Sequence, residues 1–271
     1  MKNLAVVILL SAALFCRAQP TSYSLKQDTC LDKKFSIVYY VFLDSSSVPF
    51  ANTATLAALT ASLNNVFSHI CVSFMNCSTV YIPIYPYKGW QKSFTELAVT
   101  STWYTEKTIN FYIVDTVYVD PTIPEVEGYT YPPLPANMGT SKRDLLVVDW
   151  WRLMFNNCAL PIHLLGHYFG LPHTHDEISP SPPAVPGPPS GITTQEFASQ
   201  TFSNCSVHGD GFCDTEADPA GIFGAQDGQG NYYLPPTDNF MSSYNSTRFR
   251  FTPQQYYRMA YTIMTKRMYL H

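Results

Sequence analysis

The chain has 271 residues, 46% hydrophobic and 15% aromatic, with 16 basic against 20 acidic side chains and a formal net charge of −4. That is enough apolar material for one sizeable core, which excludes a disordered chain. The mild acidity, with no basic cluster to follow a phosphate backbone, excludes nucleic acid as a partner.

Lys2, the apolar residues 4–14 and then Cys16, Arg17 and Ala18 read as a signal peptide over 1–18, too short to span a membrane. Phe15 is bulky where a lipid anchor at Cys16 wants a small residue. No second hydrophobic span follows, so residues 19–271 are expected as a monomer outside the cytosol, secreted or periplasmic. Six cysteines remain after the leader: Cys30, Cys71, Cys77, Cys158, Cys205 and Cys213. An even number in an oxidising compartment predicts that all are in disulfides. Cys71 with Cys77 and Cys205 with Cys213 are candidate local pairs, although sequence alone leaves the connectivity open.

Residues 35–43 are β-branched and aromatic enough for a buried strand. Leu56, Leu59, Leu63, Val66, Phe67 and Ile70 then recur at helical spacing, which predicts a helix over 53–70. Strands are expected at 71–84, 108–114 and 145–149. Residues 179–191 are so rich in proline and glycine that they must be an exposed loop. The last helix opens with Thr252 as cap, Pro253 in the first turn and Gln255 completing a capping box.

The chemistry concentrates in the run His163-Leu164-Leu165-Gly166-His167-Tyr168-Phe169-Gly170-Leu171-Pro172-His173. His163 and His167 are four apart, so on a helix both project from one face and can share one ion. Gly170 lets the backbone leave with a positive φ and brings His173 round as a third ligand. Three histidines with an open fourth position is the pattern of a catalytic zinc site.

This order resembles the metzincin zinc signature, His-Glu-x-x-His-x-x-Gly-x-x-His, with Leu164 where the signature has its glutamate. That carboxylate takes a proton from zinc-bound water and hands it to the leaving amine, a role worth roughly 10²–10⁴ in rate. Leucine has no proton to exchange, so no catalytic residue is assigned at 164. Asp176, Glu177, Asp214 and Glu216 lie nearby in sequence, but none has a spacing that sets it on the His163–His167 face.

Three further stretches narrow the resemblance to pappalysin-type metzincins, the pregnancy-associated plasma protein-A-like peptidases. Gly209-Asp210-Gly211-Phe212-Cys213-Asp214-Thr215 is similar to the Gly-Asp-x-x-Cys-Asp-Thr segment. Asp238-Asn239-Phe240-Met241-Ser242-Ser243-Tyr244 is similar to the Met-turn beneath the zinc, with Met241 as its methionine. Phe251-Thr252-Pro253-Gln254-Gln255 is similar to the opening of the closing helix. Two departures accompany Leu164: Ser243 displaces Tyr244 by one position, and residues 245–248 lack the usual cysteine.

The resemblance implies an α/β (α+β metzincin-like) fold: a twisted, mostly parallel sheet with two long helices and zinc at the cleft. It implies an upper subdomain at about 30–173 and an irregular lower one at about 174–271, with the Met-turn and C-terminal helix. It also implies a role near the metal for Tyr244, and a Ca²⁺ ion on Asp210 and Asp214, with Asp218 and Asp227 as further oxygen donors. Two functions follow: a secreted zinc endopeptidase with a substitute base, or a zinc-binding pseudo-protease that holds a polypeptide in its cleft without cutting it. The residue chemistry favours the second.

Overall fold

A run of apolar residues without polar alternation is how a strand covered on both faces reads, and Lys33–Leu43 forms such a strand, β1. The computed structural model describes residues 30–270 except 84–88, 93, 120–125, 156–157, 178–190, 200, 202 and 245–246. The expected signal peptide and nearly all of the proline-rich loop lie outside the described residues.

Seven strands follow in chain order: β1, β2 (Val72–Pro83), β3 (Trp90–Gln91), β4 (Ile109–Val114), β5 (Val117–Tyr118), β6 (Gly128–Thr130) and β7 (Leu145–Asp149). Five form one sheet in the order β2-β1-β4-β7-β6. The β1–β2, β1–β4 and β4–β7 pairs are parallel and only β6 runs antiparallel, at the edge. The twisted, mostly parallel α/β arrangement therefore stands. The short β6, the β3–β5 pair and helix α2 (Thr95–Thr102) were not foreseen. Two or three residues carry no readable period.

Successive side chains of β1 point to opposite faces. Phe35, Ile37, Tyr39 and Val41 enter one core with Leu56, Leu59, Leu63 and Phe67 of α1 (Thr53–Phe67). The same core takes residues of α3 (Ala159–Tyr168) and α4 (Pro253–Lys266). Val38, Tyr40 and Phe42 enter the second core with Trp90, Val99, Tyr112 and Tyr129. Each such fully buried side chain stabilises by about 1.5–3 kcal/mol. The helix expected over 53–70 ends at Phe67 and tightens into a 3-10 turn, Ser68–Ile70, with Cys71 left-handed at φ 51°. The predicted capping box at Thr252 is present.

The cysteine expectations need correction. Cys71 pairs with Cys30, tying the start of β1 to the start of β2, and Cys205 pairs with Cys213 as anticipated. Cys77 and Cys158 are free, the first exposed and the second buried. Cys71 and Cys77 cannot meet because residues 72–77 run extended in β2, whose rise of about 3.3 Å per residue carries the two well beyond bridging distance. Cys77 is the extra residue of a bulge, since Ile37 pairs with Asn76 and Val38 with Ser78.

A buried ion pair ties the end of α4 to the start of β7, and α3 joins it through Tyr168. Arg267 and Asp144 are both almost fully buried and meet at 2.5 Å, and the hydroxyls of Tyr168 and Tyr269 donate to the same carboxylate oxygen at 2.8 and 2.7 Å. No helix among the described residues is long and apolar enough to cross a membrane.

Candidate metal centre

Helix α3 is apolar on nearly every side and buried along most of its length, so its position is set by the core. His163 and His167 leave it one turn apart, with ring centroids 4.5 Å from each other. The helix ends at Tyr168, and Gly170 takes φ +90°. A Cβ there would lie 2.9 Å from Thr262 Oγ1 of α4 and 3.3 Å from Pro133, so both the backbone angle and the space call for glycine. The chain then returns His173 to the pair. The Nε2 of His167 lies 3.0 Å from that of His163 and 3.1 Å from that of His173.

Backbone carbonyls decide which ring nitrogens face inward. His163 Nδ1 donates to the Phe240 carbonyl at 2.7 Å, and His167 Nδ1 donates to the Leu171 carbonyl at 2.8 Å. A carbonyl only accepts, so each proton stays on Nδ1 and each Nε2 presents a lone pair to the centre. Asp176 serves His173: its Oδ2 accepts the His173 amide at 2.8 Å and lies 3.4 Å from Nδ1. Burial, with the neighbouring histidines, holds His163 well below its ordinary pKa, and burial with His173 holds His167 at about 4. The His163 and His167 rings are therefore neutral at pH 7, the state a metal requires.

Three inward lone pairs about 3 Å apart repel one another unless a cation lies between them. Tetrahedral ligands with metal–nitrogen bonds of about 2.0–2.1 Å sit about 3.3 Å apart, so the donor set fits a divalent ion such as zinc. Carbonyl and carboxylate partners on the outer nitrogens are the usual orienting groups of metal-bound histidine.

The 238–244 turn interlocks with α3. Met241 is fully buried, and a Cβ on Gly166 would meet its sulfur at 2.5 Å, so the glycine between the first two histidines makes room for the methionine. Phe240 of the same turn supplies the carbonyl under His163. Tyr244 departs from expectation. Its hydroxyl accepts the Gly221 amide at 3.0 Å and its ring packs edge-on against Phe223, so it is engaged with the 220–223 loop instead of the histidines. The added Ser243 carries the ring one position further along the turn.

Leu164 is 4% exposed, and its Cδ1 lies 3.0 Å from where a Cβ of Gly128 would stand. The side chain following the first histidine thus fills the space between α3 and the start of β6. The nearby acids are occupied elsewhere. Asp176 stands behind His173. Glu177 accepts the Gln195 and Gly209 amides, Glu216 faces Arg250 at 3.3 Å, and Asp214 caps α4 through Thr252 and Gln254.

Among the described residues, no three of the four aspartates expected to hold calcium lie close enough to share an ion. Asp210 accepts from Phe212 and Thr215, Asp218 from Thr174 and Ala220, and Asp227 organises its own turn. Among the described residues, the side-chain trios close enough to share an ion are His163, His167, His173 and His173, His175, Asp176. What the sequence did not reveal is that Glu196, 3% exposed, lies against Gly209, where a Cβ would stand 2.1 Å from its Oε2. Burial together with Asp210 and Glu177 pushes Glu196 up to about 9, and burial pushes Asp210 up to about 7. Its position in a stretch without periodicity left no signal.

No protein-family model matches the chain, and no curated protein sequence matches it. Among solved structures it is similar to mature mirolysin of Tannerella forsythia in complex with a cleaved peptide, at 14% identity and TM-score 0.58, over 88% of this chain and 94% of that one. It is also similar to a Tannerella forsythia promirolysin mutant, at 14% identity and TM-score 0.58, over 90% of this chain and 86% of the other. The likeness spans most of each chain, and the protein has the mirolysin fold.

Proposed function

We propose that the protein is a secreted, pappalysin-like, zinc-binding homologue of metalloproteases that holds a polypeptide in its cleft and hydrolyses it poorly or not at all. The observation that carries this reading is Leu164, a buried hydrocarbon in the place of a general base, beside three histidines whose lone pairs face one point. Zinc on His163, His167 and His173 would supply Lewis-acid polarisation of a peptide carbonyl. The chain's own residues do the rest: Phe240, Leu171 and Asp176 orient the rings, and the outer side of β6 offers a short edge to an extended peptide. Leu164 provides no acceptor for a water proton. The bound peptide of mirolysin supports a polypeptide occupant.

The alternative is an active zinc endopeptidase with a substitute base. Asp176, Glu177, Asp214 and Glu216 all have other partners, which weighs against it. Calcium on Asp210 and Asp214 has weaker support, because Asp214 also caps α4 through Thr252 and Gln254. The two disulfides suit an oxidising compartment, in keeping with a cleaved leader over residues 1–18.

Zinc content and peptide cleavage measured side by side on the purified mature protein test the reading. One zinc per chain with no cleavage supports it. Zinc-dependent cleavage that disappears in His167→Ala assigns the alternative.

A further inference from the structure

On the face of the sheet opposite α3, a cavity of about 580 Å³ opens among α2, the end of β3 and residues 141–143. That is the size of a small-molecule site. In a chain of net charge −4, three cations, Lys92, Lys142 and Arg143, line it against one carboxylate, Glu96.

Glu96 is already engaged. The Tyr129 hydroxyl donates to it at 2.5 Å and the Tyr131 hydroxyl at 2.9 Å, while Trp90 Nε1 donates to the Tyr129 hydroxyl at 2.7 Å. The same tyrosines brace the cations. Lys92 Nζ stands 4.8 and 4.9 Å from the Tyr129 and Tyr131 ring centres, and the Arg143 guanidinium 4.7 Å from that of Tyr131.

Two features of residues 141–142 ask for a ligand. Among the described residues Ser141 Oγ is buried without a hydrogen-bond partner, a group that costs free energy unless something accepts from it. Lys142 is left-handed at φ 55°, a conformation unusual for a side chain of that size and one that clusters at binding sites. Among the described residues its ammonium makes one long contact, 3.3 Å, to the Thr100 carbonyl. At the mouth, Leu97 is 73% exposed and Val119 lines the wall.

We propose that this cavity binds a small amphipathic anion, its phosphate, sulfate or carboxylate group held by Lys142, Arg143 and the Ser141 hydroxyl and its apolar body lying over Leu97 and Val119. Paired cations and a hydroxyl suit an oxyanion, and the exposed leucine suits an aromatic or short aliphatic body. The site is separate from the histidine centre and does not depend on the function assigned there.

The test is calorimetric titration of the mature protein with phenyl phosphate, phenyl sulfate and benzoate, beside inorganic phosphate and phenol. At least one organic anion is expected to bind about tenfold or more tightly than either inorganic phosphate or phenol. Arg143→Gln should weaken it by about tenfold or more. So should Leu97→Glu, which alters only an exposed position and sets a negative charge at the mouth. Binding should persist in His167→Ala, which separates this cavity from an anion on the metal. Three results would overturn the proposal: no binding at about 5 mM, equal binding of phenol, or affinity unchanged in both cavity variants.

Discussion

Placing a carboxylate at position 164 tests the proposed lack of a base, because the three histidines and the groups that orient them keep their identities. Leu164→Glu places an acceptor one residue after the first ligand, and a positioned base is worth about 10²–10⁴ in rate. The substitution also costs stability. Leu164 is 4% exposed and lies against Gly128, so removing its methyl groups from the core forfeits about 1.5–3 kcal/mol, to which desolvation of the new carboxyl adds. For a domain of this size that corresponds to a fall in Tm of about 5–15 °C. Saturating zinc offsets up to about 4 kcal/mol at a thousandfold excess over Kd, so the assay is run zinc-loaded. Burial raises the carboxyl pKa, and the gain should therefore grow as pH rises from about 6 to 8. Hydrolysis of a quenched fluorescent peptide library is expected to be at least about 10² faster than for the natural sequence. Leu164→Gln, equal in shape but without a base, should show no gain. A folded, zinc-loaded Leu164→Glu protein no faster than Leu164→Gln at any pH refutes the reasoning.

Four other outcomes follow. His167→Ala should lose stoichiometric zinc and the rise in Tm that zinc gives the natural protein, and metal analysis after dialysis checks this. Thiol labelling should find Cys77 in the native protein and Cys158 only after denaturation, while the other four cysteines of residues 30–270 label only after reduction. Glu196 at about 9 and Asp210 at about 7 retain protons that the unfolded chain releases near pH 4. The folded state thus binds more protons between those values, and stability falls as pH rises through them. In calcium-free buffer Tm should drop from pH 7 to pH 9, a window clear of the lowered histidines, and millimolar calcium should narrow the drop; a flat profile without calcium contradicts this. Arg267→Ala leaves the buried Asp144 carboxylate uncompensated and should cost about 3–5 kcal/mol by urea denaturation, whereas Arg267→Met with Asp144→Leu should cost far less.

The local features of this protein were legible in its residues because helix and strand geometry repeat over a few positions. Four of the five main-sheet strands, helix α1 and the Thr252 capping box lay close to where the patterns put them. The convergence of His163, His167 and His173 also follows from one helical turn and one glycine, which is short-range information. Other features joined residues far apart in the chain, and no periodicity encodes such pairs. The Phe240 carbonyl that fixes His163 lies 77 positions away, and Arg267 reaches across 123 to Asp144. Cys71 chose Cys30 over the nearer Cys77 because β2 runs extended between the latter two. The sequence by itself determined that three histidines stand at metal-ligand spacing and that position 164 holds a leucine, since both are matters of residue identity at local spacing. Only the tertiary structure decided what orients those ligands, what Leu164 packs against and which acids are already engaged, because such contacts arise when separate elements share one core.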